Sequence, residues 1–214
     1  MGTGLVKVKI CGITNYDDAL AAAEFGADAL GFVFYKNSPR YITPEKAGEI
    51  ISRIPPFVAA VGVFVDEKPE RIERIMERVG LNAAQFHGHE PPEACLIPKR
   101  TIKAIRVKEI TDLEPMMHYK VGAFLLDTYS PEALGGTGQI FNWSIAMDAK
   151  PMGRIILAGG LTPVNVAEAI LMVKPYGVDV STGVELEKGI KNHEKMRLFI
   201  QRAKEAIPFP GLVS

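Results

Sequence analysis

The sequence is short of several things that would have pointed elsewhere. It holds two cysteines, Cys11 and Cys95, in 214 residues. They are too few and too far apart for a disulfide framework or a cysteine metal site, and such sparing use suits a reducing, cytoplasmic setting. Neither sign of charge dominates: Lys plus Arg and Asp plus Glu are both 25, so the net charge is zero. Nucleic acid and anionic membrane surfaces are therefore not expected partners, and any anion site has to be built locally. No apolar run approaches the roughly 20 residues of a membrane span. Residues 1–8 lack the basic start and long apolar stretch of a signal peptide, and residues 1–4 read as a flexible lead-in. The first strand–helix turn has no G-x-G-x-x-G fingerprint, which weighs against an open dinucleotide-binding sheet.

What is present is alternation. A hydrophobic share of 47% supports one globular domain over residues 1–214. β-branched and apolar runs at 6–13, 29–34, 58–65, 83–87, 101–107, 123–127, 154–158 and 178–180 read as strands. Helical segments fall between them. Asn15 caps one over 16–25 that ends at Gly26, and Thr43-Pro44 opens another that runs to 54. The segment 67–79 carries Ile72, Ile75, Met76 and Val79 on one face. Weaker helices are read over 92–97, over 110–119 in spite of Pro115, and over 143–149. Thr162-Pro163 opens a helix to 173, and 193–206 is the last, before a tail over 208–214. Strands alternating with helices imply right-handed crossovers and a parallel sheet, and eight such units close most simply into a compact (β/α)8 barrel.

In such a barrel the chemistry sits at the C-terminal ends of the strands. Those ends read Cys11, Phe34, Phe64, His87, Arg106, Asp127, Gly159-Gly160 and Ser181-Thr182-Gly183. The two turns after the seventh and eighth strands suit a phosphate, because backbone N–H groups can converge there on an anion; ordinary turn chemistry is the other reading. Cys11 is either a buried structural thiol or an acid–base or nucleophilic group. Asp127 is a turn former or a site carboxylate, and His87 a ligand contact or a strand-end hydrogen-bonder. Arg40, after Ser38-Pro39, is a solvated charge or a bidentate grip on a substrate carboxylate. Cys95 reads as core.

The ordered motifs resemble a known family. Lys9-Ile10-Cys11-Gly12-Ile13-Thr14 is similar to the opening signature of the phosphoribosylanthranilate isomerases of tryptophan biosynthesis. The likeness continues through the run from Gly26 to Phe34, Ser38-Pro39-Arg40, Val61-Gly62-Val63-Phe64, and Leu126-Asp127 with Gly135-Gly136-Thr137-Gly138. It extends to the run from Leu157 to Pro163, Gly177-Val178-Asp179-Val180-Ser181, and Gly183-Val184-Glu185.

The resemblance implies a (β/α)8 barrel and a cofactor-free, metal-free Amadori rearrangement of N-(5-phosphoribosyl)anthranilate. Cys11 matches the family's general base and Asp127 its general acid. Arg40 matches a residue near the anthranilate end, and His87, Gly136, Gly159, Gly160, Ser181, Thr182 and Gly183 fall at substrate-binding positions. The chain departs from the family at Phe86, where leucine is common, at Asn142 for aspartate, and at Thr182 for serine. Residues 188–192 also differ from the usual Pro-Gly-x-Lys-Asp at two positions. A histidine-pathway sugar isomerase would use two aspartates, where this chain has Cys11 on the first strand. A non-catalytic phosphate-sugar binder would need neither Cys11 nor Asp127. A cysteine hydrolase would need a His–Asn/Asp partnership that the sequence does not reveal. A monomer or a homodimer is expected.

Overall fold

Eight short apolar strands hydrogen-bond side by side in chain order and close on themselves, in a computed structural model that describes residues 6–96, 100–128 and 142–206. They are β1 (Lys7–Cys11), β2 (Ala29–Val33), β3 (Ala59–Phe64), β4 (Ala83–Phe86), β5 (Thr101–Val107), β6 (Ala123–Thr128), β7 (Ile155–Leu157) and β8 (Gly177–Val180). All eight pairings are parallel, and β1 closes the ring on β8 with Lys9 opposite Asp179. The (β/α)8 barrel expected from the alternation is the fold found. The loop around Gly135-Gly136-Thr137-Gly138, the lead-in and the tail lie outside the described residues.

Among the described residues, three of the six α-helices begin at a side-chain cap. Asn15 accepts a hydrogen bond from Asp18 N at 2.8 Å to start α1 (Tyr16–Glu24), and Thr43 accepts from Lys46 N to start α2 (Pro44–Ile51). α3 (Pro69–Val79) buries Ile72, Ile75 and Val79 and stops at Gly80, whose φ of 75° no β-carbon-bearing residue adopts cheaply. After β4 and β5 the connections tighten into 3-10 turns, Pro92–Leu96 and Ile110–His118. Pro115 inside the second turn cannot donate to an α-helical ladder. Beyond β6 lies the short α4 (Ser144–Asp148).

α5 (Val166–Val173) starts later than Thr162-Pro163 predicts. Asn165 is the reason: its side chain accepts from Thr162 N and donates to Gly160 O, closing a turn ahead of the helix. α6 (His193–Glu205) completes the ring of helices. One feature was not read from sequence. After β8 a short turn (Thr182–Val184) leads into a hairpin of β9 (Glu185–Glu187) and β10 (Ile190–Lys191).

Strand alternation sorts the core into two layers. Outward residues such as Val8, Ile10, Leu30, Phe32, Phe64, Phe86 and Leu126 pack under the helices, against Ala19 and Ala22 of α1, Ile72 of α3 and Phe199 of α6. Inward residues are smaller. Ala104, Ala123, Leu125, Ile156 and Ala158 fill one part of the interior, and Cys11, Val33 and Val63 another. A cavity of about 310 Å³ lined by Lys7, Ala29, Ala59, Ala83, Phe57 and Tyr176 lies at the opposite end from the strand tips.

Candidate active site

On β1 the period of two sends Val8 and Ile10 out to the helices and Lys9 and Cys11 into the barrel. Cys11 therefore ends inside the mouth, 8% exposed, against Val33, Val63 and Tyr35. Gly31 stands opposite it on β2; a β-carbon there would lie 2.7 Å from the Cys11 sulfur, so the neighbour has to be glycine. Burial pushes the Cys11 thiol above its ordinary range. Lys9 and Lys191 pull it back without cancelling that effect, and Asp179 adds to it.

Asp127 projects inward near the end of β6 and is buried. Its Oδ1 accepts from Thr128 N at 2.9 Å. Its Oδ2 lies 3.3 Å from His87 Nε2. The two atoms are close enough to pair, yet that nitrogen is buried and not aligned for a hydrogen bond among the described residues. Gln85 Nε2 sits 3.0 Å from His87 Nδ1. With the amide nitrogen donating, the ring proton belongs on Nε2, facing Asp127. Main-chain bonds anchor this histidine: its N donates to Phe64 O at 2.8 Å and its O accepts from Arg106.

Arg40 leaves the loop after β2 and crosses the mouth, its stem passing Gly12, where a β-carbon would sit 2.6 Å from Arg40 Cδ. Its Nε and Nη2 donate to the two oxygens of Glu185, each at 2.7 Å, and Nη2 also donates to Thr182 Oγ1 at 3.1 Å. Glu185 is shared. Lys191, fully buried, donates to it at 3.2 Å and to the main-chain oxygen of Cys11 at 2.6 Å. Burial works against the Glu185 carboxylate, but Arg40 and Lys191 outweigh it and hold its pKa below the ordinary range. For Lys191 burial wins, and its pKa falls.

The two glycine turns are packed to backbone contact. Gly159 and Gly160 have φ of 75° and 66°. A β-carbon on Gly159 would meet Thr128 Oγ1 at 2.2 Å, and one on Gly183 would meet Leu161 O at 1.9 Å. Glycine is thus required for the β7 turn to abut the end of β6 and for the β8 turn to abut the β7 turn. Ser181 Oγ is buried with no partner among the described residues, a free hydroxyl beside these turns.

Of the residues singled out from sequence, Cys11, Arg40, His87, Asp127, Gly159, Gly160, Ser181, Thr182 and Gly183 all fall at the C-terminal mouth, and Gly136 lies outside the described residues. Cys95 is core, 1% exposed. Sequence reasoning passed over Glu185, Lys191 and Asp179. Strand parity could have flagged Asp179, two residues before Ser181 on the same inward face. Glu185 and Lys191 carried no local signal beyond their motifs. Among the described residues no cluster of His, Cys, Asp and Glu could hold a metal ion.

A closed parallel barrel with a thiol, a carboxylate–imidazole pair, an arginine and two close-packed glycine turns at one mouth defines a (β/α)8 enzyme of small phosphorylated substrates. The profile of the family described as N-(5'phosphoribosyl)anthranilate (PRA) isomerase matches residues 8–202, and the chain belongs to that family. An N-(5'-phosphoribosyl)anthranilate isomerase of Geobacter sulfurreducens is 56% identical over 201 residues, 94% of this chain and 99% of that protein. The barrel also superposes on a crystal structure of monomers of the dimeric Thermotoga maritima enzyme, with TM-score 0.84 and 45% identity over 94% of this chain and 99% of that one. A phosphoribosylanthranilate isomerase in complex with reduced 1-(o-carboxyphenylamino)-1-deoxyribulose 5-phosphate gives TM-score 0.85 and 46% identity over the same 94% and 99%. The activity is the aldose–ketose isomerisation of N-(5'-phosphoribosyl)anthranilate in tryptophan biosynthesis.

Proposed function

We propose that this isomerisation runs by general acid–base catalysis between Asp127 and Cys11, with neither metal nor organic cofactor. Asp127, in its acid form, donates a proton to the furanose ring oxygen; the C1'–O bond breaks and the anthranilate nitrogen lone pair forms a Schiff base. Cys11, as thiolate, removes the proton from C2', giving an enolamine that tautomerises to the ketone. Each proton transfer of this kind contributes about 10²- to 10⁴-fold. The reading rests on one observation above others: a buried, inward thiol on β1 and a buried, inward carboxylate on β6 face the same interior, while the buried, inward carboxylate of Asp179 on β8 is already paired with Lys9.

His87, with its Nε2 toward Asp127, orients the acid. Arg40 meets the anthranilate carboxylate through Nη1, which takes no part in the Glu185 clamp. Gly159, Gly160, Ser181, Thr182 and Gly183 hold the phosphate, and Gly136, outside the described residues, is a further substrate-binding residue in this reading. Binding energy from the remote phosphate holds the sugar in register for both proton transfers. In this reading residues 1–214 work as one barrel domain in the cytoplasm, as a monomer or homodimer, with the phosphorylated anthranilate sugar as partner and no role for nucleic acid or membrane. Among the described residues no helix is long and apolar enough to cross a membrane.

The test is turnover, followed as loss of substrate fluorescence above the spontaneous background. Cys11→Ala and Asp127→Asn are each expected to lose at least about 10²-fold in turnover with the far-UV spectrum unchanged. Near-normal turnover in either purified variant defeats the role of that residue.

A further inference from the structure

A thiol raised by burial is a poor base at neutral pH, so something in the site has to favour its ionised form. Four charged groups face Cys11, each from a different element. Lys9 comes from β1 itself, Asp179 from β8, Lys191 from β10 and Arg40 from the loop after β2. Arg40 is clamped by Glu185 and Thr182. Lys191 is turned toward the main-chain oxygens of Cys11 and Ser181 and toward Glu185. Lys9 differs. It lies two residues below Cys11 on the same inward face, where its charge favours the ionised sulfur. Both side chains crowd one point above Gly31, the sulfur 2.7 Å and Lys9 Cε 3.1 Å from where a β-carbon would stand.

Lys9 is also fixed. Its ammonium donates to Asp179 Oδ1 at 2.8 Å, both side chains are buried, and the two residues are Cα partners across the β1–β8 seam. A lone buried lysine would tend to shed its proton. Here burial is outweighed by Asp179 and the sulfur, and Lys9 stays charged above its ordinary range.

We propose that Lys9, held by Asp179, is a positioning residue that sets a fixed ammonium against the Cys11 sulfur and stabilises the thiolate that takes the C2' proton. The inference rests on the reading of Cys11 as the base. Substrate closing the mouth would exclude water and strengthen this pairing, because opposite charges attract more in a low-dielectric site. Asp179 has two opposed effects: it keeps Lys9 charged and aimed, while its own charge disfavours the thiolate.

The experiment reads the thiolate directly. Iodoacetamide alkylation of Cys11 is measured against pH, with peptide mass spectrometry separating it from Cys95, alongside the pH profile of kcat/KM. Lys9→Met leaves Asp179 without its partner, so the charge-neutral pair Lys9→Met with Asp179→Asn is measured as well. In both, the alkylation midpoint is expected to rise by about one pH unit or more, a tenfold loss of thiolate at fixed pH. The rising limb of kcat/KM should move with it. Lys9→Arg, which keeps the charge, should hold the midpoint close to the parent's. An unchanged midpoint in the double variant overturns the inference and leaves the role of Cys11 standing. Near-normal turnover in Cys11→Ala instead removes the reading beneath it.

Discussion

Glu185 shows how much one side chain can organise. It accepts both arms of the Arg40 fork and a hydrogen bond from Lys191, which in turn holds the strand tip that carries Cys11. Replacing it by glutamine removes the charge that two cations share and leaves Lys191 buried with its charge uncompensated, at a cost of about 3 kcal/mol. Urea denaturation of Glu185→Gln at pH 7 should show that loss, and the KM for substrate should rise as Arg40 loses its aim. The pH dependence has a definite sign. The folded pKa lies below the ordinary value of 4.5, so the contribution is fully present above that value and lost as pH falls through the depressed one. The stability gap between parent and variant should therefore narrow as denaturation is repeated at falling pH below about 4.5.

At the scale of elements, the site depends on turns that touch backbone to backbone. Gly183→Ala would drive a β-carbon to within 1.9 Å of Leu161 O, a main-chain atom with no rotamer to change. The β7 and β8 turns then have to separate. Thermal denaturation should show a lower Tm, and steady-state kinetics a KM raised more than kcat is lowered, since the ground-state grip on the phosphate is what loosens. Gly159→Ala faces both a φ of 75° and a contact of 2.2 Å with Thr128, and should cost more stability still, from strain of about 1–2 kcal/mol in the left-handed backbone alone. The same close packing explains why α5 starts at Val166: Asn165 is used to tie Gly160 O and Thr162 N, so the segment ahead of the helix serves the turn.

Across the whole molecule, stability lies in closing the ring. α6 packs against α1, α5 and β1, joining the last element to the first, and its Phe199 is fully buried. Lys204 of α6 and Lys7 of β1 both pair with Asp28, just ahead of β2. Phe199→Ala should cost about 3–5 kcal/mol. In calorimetry that is a fall in Tm of roughly 6–20 °C for a chain of this size. A fall of a degree or less would mean that the α6 seam is not where the barrel is held.

Much of this was legible in the linear chain, because a strand's period of two and a helix's caps are local properties. Lys9 and Cys11 share a face by parity alone, Asn15 and Thr43 start helices by their side-chain oxygens, and the glycines at the ends of β7 and β8 mark tight turns wherever those turns lie. The late start of α5 and the hairpin of β9 and β10 were not legible, since each depends on hydrogen bonds made after the strands are in place. Which strand tips meet was also beyond local reading. Arg40 and Glu185 lie 145 positions apart, Lys9 and Asp179 170, and His87, just past the end of β4, is separated from Asp127 on β6 by β5. Local sterics and hydrophobic period set the elements and their inward faces. Only the register at which β1 closes on β8, and the backbone contact of the glycine turns, decided which charges neutralise one another and which remain for a substrate.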